Sequence, residues 1–148
     1  RVDGGNRRAV LIFQKPYLFA GTVLDNLVLG LRFGGMARKT AIDRILPLAK
    51  KLGISDILDR TCENLSGGEG ARVSLGRALA VDPEILLLDE SLVHLDVFSL
   101  QAIKQTLRDF IARGGGLIMV THHEEQARSL CRKIIRLEKG RLEPLPSS

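Results

Sequence analysis

The sequence carries only two cysteines, Cys62 and Cys131, which is no basis for a disulfide framework and fits a reducing compartment. No apolar run approaches the length needed to cross a bilayer, and no signal-peptide pattern is visible. Internal repeats and low-complexity tracts are missing as well. Acidic residues are outnumbered, for a net charge of +5. Lys and Arg are spread along the chain rather than clustered, so the excess suits a surface biased towards anionic ligands and gives no nucleic-acid partner. The run His122-His123-Glu124-Glu125 lacks the His-Glu-x-x-His spacing that sets two imidazoles on one helix face, which removes a zinc-hydrolase reading. What remains is 148 residues with 45% hydrophobic content, enough for one globular domain with a core.

The chain is organised around Leu65 to Asp96. Leu65-Ser66-Gly67-Gly68-Glu69 opens a helical run to Val81, Asp82-Pro83 turns the chain, and Ile85-Leu86-Leu87-Leu88-Asp89-Glu90 follows. A helix N-terminus leaves backbone N–H groups without partners and carries partial positive charge. Ser66 can cap it, and Gly67 and Gly68 place no side chain in the way of a ligand, which makes an anion site suited to phosphate. Ile85 to Leu88 does not alternate, so it reads as a parallel-sheet strand buried on both faces. Such sheets bind ligands beyond the carboxyl ends of their strands. Asp89 and Glu90 are delivered there, and strand alternation gives the two carboxylates separate jobs. One can serve a magnesium ion and the other can orient or deprotonate a water.

Two more unbroken apolar runs predict buried strands, Ala9 to Phe13 ending at Gln14 and Leu117 to Val120 ending at Thr121-His122. Between the first strand and Ser66 the pattern is helical. Thr22 caps a helix running through Val28, with Asp25 near its positive end, and Leu31 to Gly35 breaks it. Met36 to Leu52 is a longer helix in which Pro47 is a conflict, and Ser55 to Arg60 gives one more turn. Val97 to Arg113 is amphipathic, with Val97, Leu100, Ile103, Leu107, Phe110 and Ile111 on one face. Glu124 to Leu130 is a short helix, and a hairpin turns at Lys139-Gly140. Gly4-Gly5-Asn6 reads as a turn and Pro144 to Ser148 as a tail. Tyr17-Leu18-Phe19 is an apolar cluster in a loop, either a partner contact or a cover for the core.

The order of these pieces resembles the ABC-type ATPases. Leu65 to Glu69 looks like their signature motif, with Arg72 and Arg77-Ala78-Leu79 as its continuation. Ile85 to Glu90 looks like the Walker B strand with its catalytic glutamate, and Leu95-Asp96 looks like the D-loop. The resemblance runs from about Arg8 to about Leu142. It implies an α/β fold, a P-loop NTPase-like parallel sheet with an inserted helical subdomain at about 22–63. Segments 8–14 and 83–142 then form the catalytic core, with 143–148 as the tail. It implies ATP and magnesium as cofactors. Gln14 becomes the Q-loop glutamine, touching magnesium and the attacking water, and Asp89 shares the metal. Glu90 polarises the water, and His122, on an H-switch strand, meets the γ-phosphate. Ser66, Gly67, Gly68 and Glu69 face the nucleotide of a second ABC ATPase domain paired head to tail, and Asp96 contacts that partner. The Tyr17–Phe19 region receives a transmembrane permease subunit, which places the protein on the cytoplasmic face of the plasma membrane. Three positions depart from the family pattern, namely Ser91 in place of Pro, His94 in place of a small residue, and His123 in place of Asp.

The family's phosphate-binding Walker A loop, Gly-x-x-x-x-Gly-Lys-Ser/Thr, has no counterpart in this sequence. In the family it lies upstream of the Q-loop, and Arg1 is not a Met. The expectation is a piece of a longer protein lacking that N-terminal part, with exposed sheet edges and no turnover of its own. The stretch Gln14 to Asn26 resembles importer subunits, with an oxyanion such as tungstate, molybdate or phosphate as the narrower expectation. Alternatives are a soluble ribosome-associated ABC protein of the translation-factor branch, since His94-Leu95-Asp96 is similar to part of its Asn-His-Leu-Asp motif, and a non-catalytic remnant. A chromosome-maintenance protein would carry coiled-coil heptads, which this chain lacks.

Overall fold

A computed structural model describes residues 9–93 and 95–144 of the chain. The readings made for Arg1 to Arg8, for His94 and for Leu145 to Ser148 lie outside the described residues. Strand β1 spans Ala9–Ile12, β2 Ile85–Asp89 and β3 Gly116–Val120. They form one parallel sheet in the order β1-β2-β3. Helices α1 (Val23–Phe33), α2 (Arg38–Lys51) and α3 (Gly67–Ala80) lie between β1 and β2 in the chain, with short 3₁₀ turns at Ser55–Ile57 and Cys62–Asn64. Helix α4 (Val97–Ala112) connects β2 to β3, and α5 (Glu124–Leu130) precedes a hairpin of β4 (Ile135–Glu138) and β5 (Arg141–Pro144). Lys139 and Gly140, at φ 47° and 77°, give the hairpin turn two left-handed residues, the geometry that matches strand twist.

The strand register separates two faces of the sheet. The rows Val10–Leu86–Leu117 and Ile12–Leu88–Met119 face the helices, where Ala71 and Leu75 of α3 and Ile103 and Leu107 of α4 meet Ile12 and Leu88. The row Leu11–Leu87–Ile118 faces the other way, with Val120 beside Asp89. Ile118 and Val120 are 58% and 59% exposed. The expectation of strands buried on both faces is therefore corrected: among the described residues, helices cover one face only. Apolar runs fit two covered faces and cannot report whether the second cover is present.

One helix boundary also differs from the sequence reading. Helix α1 continues through Leu31, which is buried, and stops at Gly34. Apolar contact on that face outweighs the Gly-rich break signal that follows. Helix α2 passes through Pro47 without ending, as the single helix expected over Met36 to Leu52 requires. In α4, Ile103, Leu107 and Phe110 are buried as the periodicity predicts, but Val97 is exposed, and in the first turn it is Ser99 that is buried, against α3.

Candidate functional site

The sequence-predicted site residues fall into two groups. The first lies at the carboxyl edge of the sheet. Ile12 pairs with Leu88 and Leu88 with Met119, so Gln14, Glu90 and Thr121 each stand two residues past the same paired row. Asp89 ends β2 and is exposed, and among the described residues no hydrogen bond or ion pair engages its carboxylate. Gln14 is exposed just past β1. Glu90 takes φ 50°, a left-handed conformation that costs a non-glycine residue ~1–3 kcal/mol and clusters at functional sites. The alternation used to separate the two carboxylates therefore ends at Asp89, and a backbone turn re-aims Glu90. Its N–H still donates to Val120 O at 3.0 Å.

Glu90 and His122 meet. The His122 Nδ1 atom lies 2.9 Å from Glu90 Oε1 and 2.7 Å from Oε2. With the carboxylate ionised, Nδ1–H must donate, leaving Nε2 for another partner. The direction of the hydrogen bond favours Oε1, and Oε2 is buried without a well-directed donor. The His122 ring also rests on His123, with centroids 4.0 Å apart.

The second group sits at the first turns of α3 and α4. Ser66 caps α3 reciprocally with Glu69: Glu69 N–H donates to Ser66 Oγ at 3.2 Å, and Ser66 N–H donates to Glu69 Oε2 at 2.7 Å. That backbone donor, then the Ser66 side chain and the Arg60 charge, hold the Glu69 carboxyl below its usual range. Its carboxylate is occupied by the cap and by Arg60 at 3.0 Å, which keeps it from being a ready contact for an anion. The Gly67 and Gly68 N–H groups have no acceptor among the described residues. The two glycines are not equivalent. A side chain on Gly67 would meet open space, whereas one on Gly68 would collide with Asp96 and Ser99. Only Gly67 is free on its Cα side, so the reading that both glycines clear space for a ligand is corrected for Gly68, which makes room for α4.

Asp96 caps α4. Its Oδ1 accepts from Ser99 N–H at 2.8 Å, and Oδ2 accepts from the Ser99 hydroxyl. These bonds, with Arg72 contributing its charge, hold the Asp96 carboxyl below the usual range. Among the described residues no hydrogen bond or ion pair joins the sheet-edge group to the helix-turn group. Gln14, Asp89, Glu90 and His122 stand together on one side, and Ser66, Gly67, Gly68, Glu69 and Asp96 on the other.

Several contacts that build the site were not foreseen from sequence, where Arg77 stood only as a continuation of the signature-like stretch. Buried Asn26 accepts from Phe19 N–H and donates to Phe19 O, both at 2.9 Å, and to Thr22 O at 3.1 Å. Arg77 donates to Tyr17 O at 2.6 Å and lies over the Phe19 ring at 5.0 Å; burial lowers its pKa. The Tyr17–Phe19 loop is thus clamped, with Leu18 packed on the core while Tyr17, 67% exposed, and Phe19 face outward. Arg60 joins two helix starts, its carbonyl accepting from Val23 N–H at 3.0 Å while its guanidinium reaches Glu69. Asn26 and Ser99 are polar residues on otherwise apolar helix faces, a signal that could have found them. Arg60 has none.

A cleft of about 480 Å³ lies between the loop and the start of α3, lined in part by Pro16, Phe19, Cys62, Ser66 and Gly67. Burial raises the pKa of the Cys62 thiol, whose sulfur accepts from Asn26. No described helix is long and apolar enough to cross a membrane, and the described residues hold no group of three or more metal-ligating His, Cys, Asp or Glu side chains.

The family described as ABC transporter matches residues 4–93. The tungstate uptake system ATP-binding protein of Peptoclostridium acidaminophilum is 34% identical over 137 residues, covering 92% of this chain and 64% of that protein. The sn-glycerol-3-phosphate import ATP-binding protein of Vibrio vulnificus (strain YJ016) is 36% identical over 154 positions, covering 98% of this chain and 40% of that protein. The xylose/arabinose import ATP-binding protein of Haloferax volcanii is 35% identical over 147 positions, covering 96% of this chain and 38% of that protein. The chain therefore spans about two fifths to just under two thirds of the length of these relatives.

Proposed function

The chain belongs to the ABC transporter family, and from that premise we propose that its parent protein is an ATP-binding subunit that couples ATP hydrolysis to import across a membrane. The observation that carries the proposal is the Glu90–His122 contact at the carboxyl edge of a parallel sheet, beside the free carboxylate of Asp89. Glu90 orients and polarises the attacking water, and His122 would meet the γ-phosphate by donating Nε2–H, which, with Nδ1–H given to Glu90, takes an imidazolium carrying both protons. Little covalent chemistry is required, because phosphoryl transfer depends mainly on positioning and charge. Asp89 and Gln14 would hold magnesium. One unengaged carboxylate and a neutral amide fit an ion that is usually bound by one or two carboxylates plus substrate phosphates. When bound, magnesium would neutralise charge on the phosphate oxygens.

Ser66, Gly67 and Gly68 serve a second ATPase domain paired head to tail, and the unpartnered glycine amides support that role. Glu69 acts by fixing the cap, and Asp96 lies at the same interface. The outward faces of Tyr17 and Phe19 meet the permease, which places the subunit on the cytoplasmic side of the membrane. The domain division follows the same reading, with a helical subdomain at 22–63 and a catalytic core at 8–14 and 83–142, corrected at the expected tail of 143–148, because Glu143 and Pro144 pair with β4 as part of β5. The relatives' names cover an oxyanion, a phosphoester and sugars, which supports import as the shared part. Oxyanion import is the narrower proposal, supported by the tungstate relative. Transport assays with the cognate binding protein test it, and uptake of a sugar in place of an oxyanion would reject it.

The mechanism is tested by Glu90→Gln in the full-length protein. Removing the water-orienting carboxylate should lower turnover by ~10²-fold or more while ATP still binds. Hydrolysis at the parent rate would reject the role of Glu90.

A further inference from the structure

Arg72 and Ser99 have no part in the reading above, yet they join the two helix starts that it uses. Both are buried, Arg72 on α3 and Ser99 on α4. The Arg72 guanidinium donates through Nη1 to the Ser99 hydroxyl, and that hydroxyl donates to Asp96 Oδ2. Ser99 N–H holds the other Asp96 oxygen at 2.8 Å. Gly68 sits against Asp96 and the Ser99 side chain with no space for a Cβ between them. The Arg72 guanidinium also lies over the Phe98 ring, 5.2 Å from its centroid. A hydroxyl is the one side-chain group here that can accept from a guanidinium and donate to a carboxylate at once. Replacing it leaves a buried guanidinium donor without its acceptor, which the fold opposes by letting the two turns drift apart.

We propose that Ser99 is a positioning residue: its hydroxyl, shared between Arg72 of α3 and Asp96 of α4, locks the Gly67–Gly68 amides and the Leu95–Asp96 turn into one rigid body. The inference rests on the reading that these two turns meet the nucleotide of a partner domain. It deepens that reading by making the same chain's two contacts with the partner move together. Loss of the hydroxyl then affects the closed, paired state and leaves nucleotide binding to a separate subunit alone.

The test uses the full-length protein with its membrane partner. Ser99→Ala removes the hydroxyl and adds no bulk. The expected result is a fall in kcat of about tenfold, the size of effect that a small misplacement of positioning groups produces. In the Glu90→Gln background, ATP-driven pairing of subunits should weaken by a similar factor, while ATP affinity of the unpaired subunit stays the same. Should Ser99→Ala fail to fold, Arg72→Met keeps the apolar stem, removes the donor and carries the same expectation. Turnover within twofold of the parent would overturn the proposal. So would a loss of ATP affinity in the unpaired subunit equal to the loss in kcat, since that marks general damage to the fold. Unchanged hydrolysis in Glu90→Gln alone would instead overturn the ATPase reading, so the two failures are told apart.

Discussion

Thr22 and Asp25 open α1 with the same reciprocal cap that Ser66 and Glu69 give α3, and the two amides that follow meet different fates. In α1, Val23 N–H donates to Arg60 O at 3.0 Å and Leu24 N–H to Leu58 O at 2.9 Å. In α3, the amides of Gly67 and Gly68 have no acceptor among the described residues. The first helix start is a joint, its donors spent on the chain's own backbone. The second leaves its donors and its partial positive charge unspent among the described residues. A cap therefore stabilises a helix without saying what the helix end is for; the next two amides carry that information.

The largest effect is expected at Gly68. A methyl group there collides with Asp96 and Ser99, so Gly68→Ala should push the two turns apart and lower turnover of the full-length protein by ~100-fold. Gly67→Ala meets no atom of this chain, so it leaves the two turns in place and should cost less in steady-state assays, through the methyl in the ligand's path alone. Equal losses at the two glycines would mean that packing against α4 does not matter to the site.

Ser66→Ala and Thr22→Ala sharpen the contrast. Each removes a cap and should lower stability by ~1 kcal/mol in denaturant titrations. Only Ser66→Ala should also lower turnover, because only its helix start meets a ligand under the proposed function. A Thr22→Ala variant with equally impaired turnover would erase the distinction.

The smallest effect concerns pH, where the two caps should behave alike. Thr22 and then Arg38 lower the Asp25 pKa, as the Ser66 backbone lowers that of Glu69. A carboxyl with a depressed folded-state value contributes stability that is full above its unfolded value and lost as pH falls through the folded one. Stability should therefore decline below about pH 4, and Asp25→Asn and Glu69→Gln should each make that decline shallower in acid-unfolding curves. A steeper decline in either variant would contradict the sign.

Both caps could be read from sequence, since a Ser or Thr followed three residues later by an acid before an apolar run states its own geometry. The three strands and their carboxylate and histidine ends were legible for the same reason: unbroken apolar runs have few other uses. The fate of the α1 amides was not legible, because Arg60 and Leu58 reach Val23 and Leu24 from more than thirty residues away and nothing local announces it. The open sheet face escaped too, as Leu11 and Ile118 have the composition of buried residues and stand exposed. Gly68 was legible as a glycine and misread in its purpose, which depends on α4 lying against it.

The central claim is that the start of α3 binds a ligand and the start of α1 does not. Hydrogen–deuterium exchange on the full-length Glu90→Gln protein, with and without ATP and magnesium, compares the two directly. Slower exchange in the segment holding Gly67 and Gly68, with no change at Val23 and Leu24, is the predicted result. No change at Gly67 and Gly68, or equal slowing at both helix starts, would contradict the account.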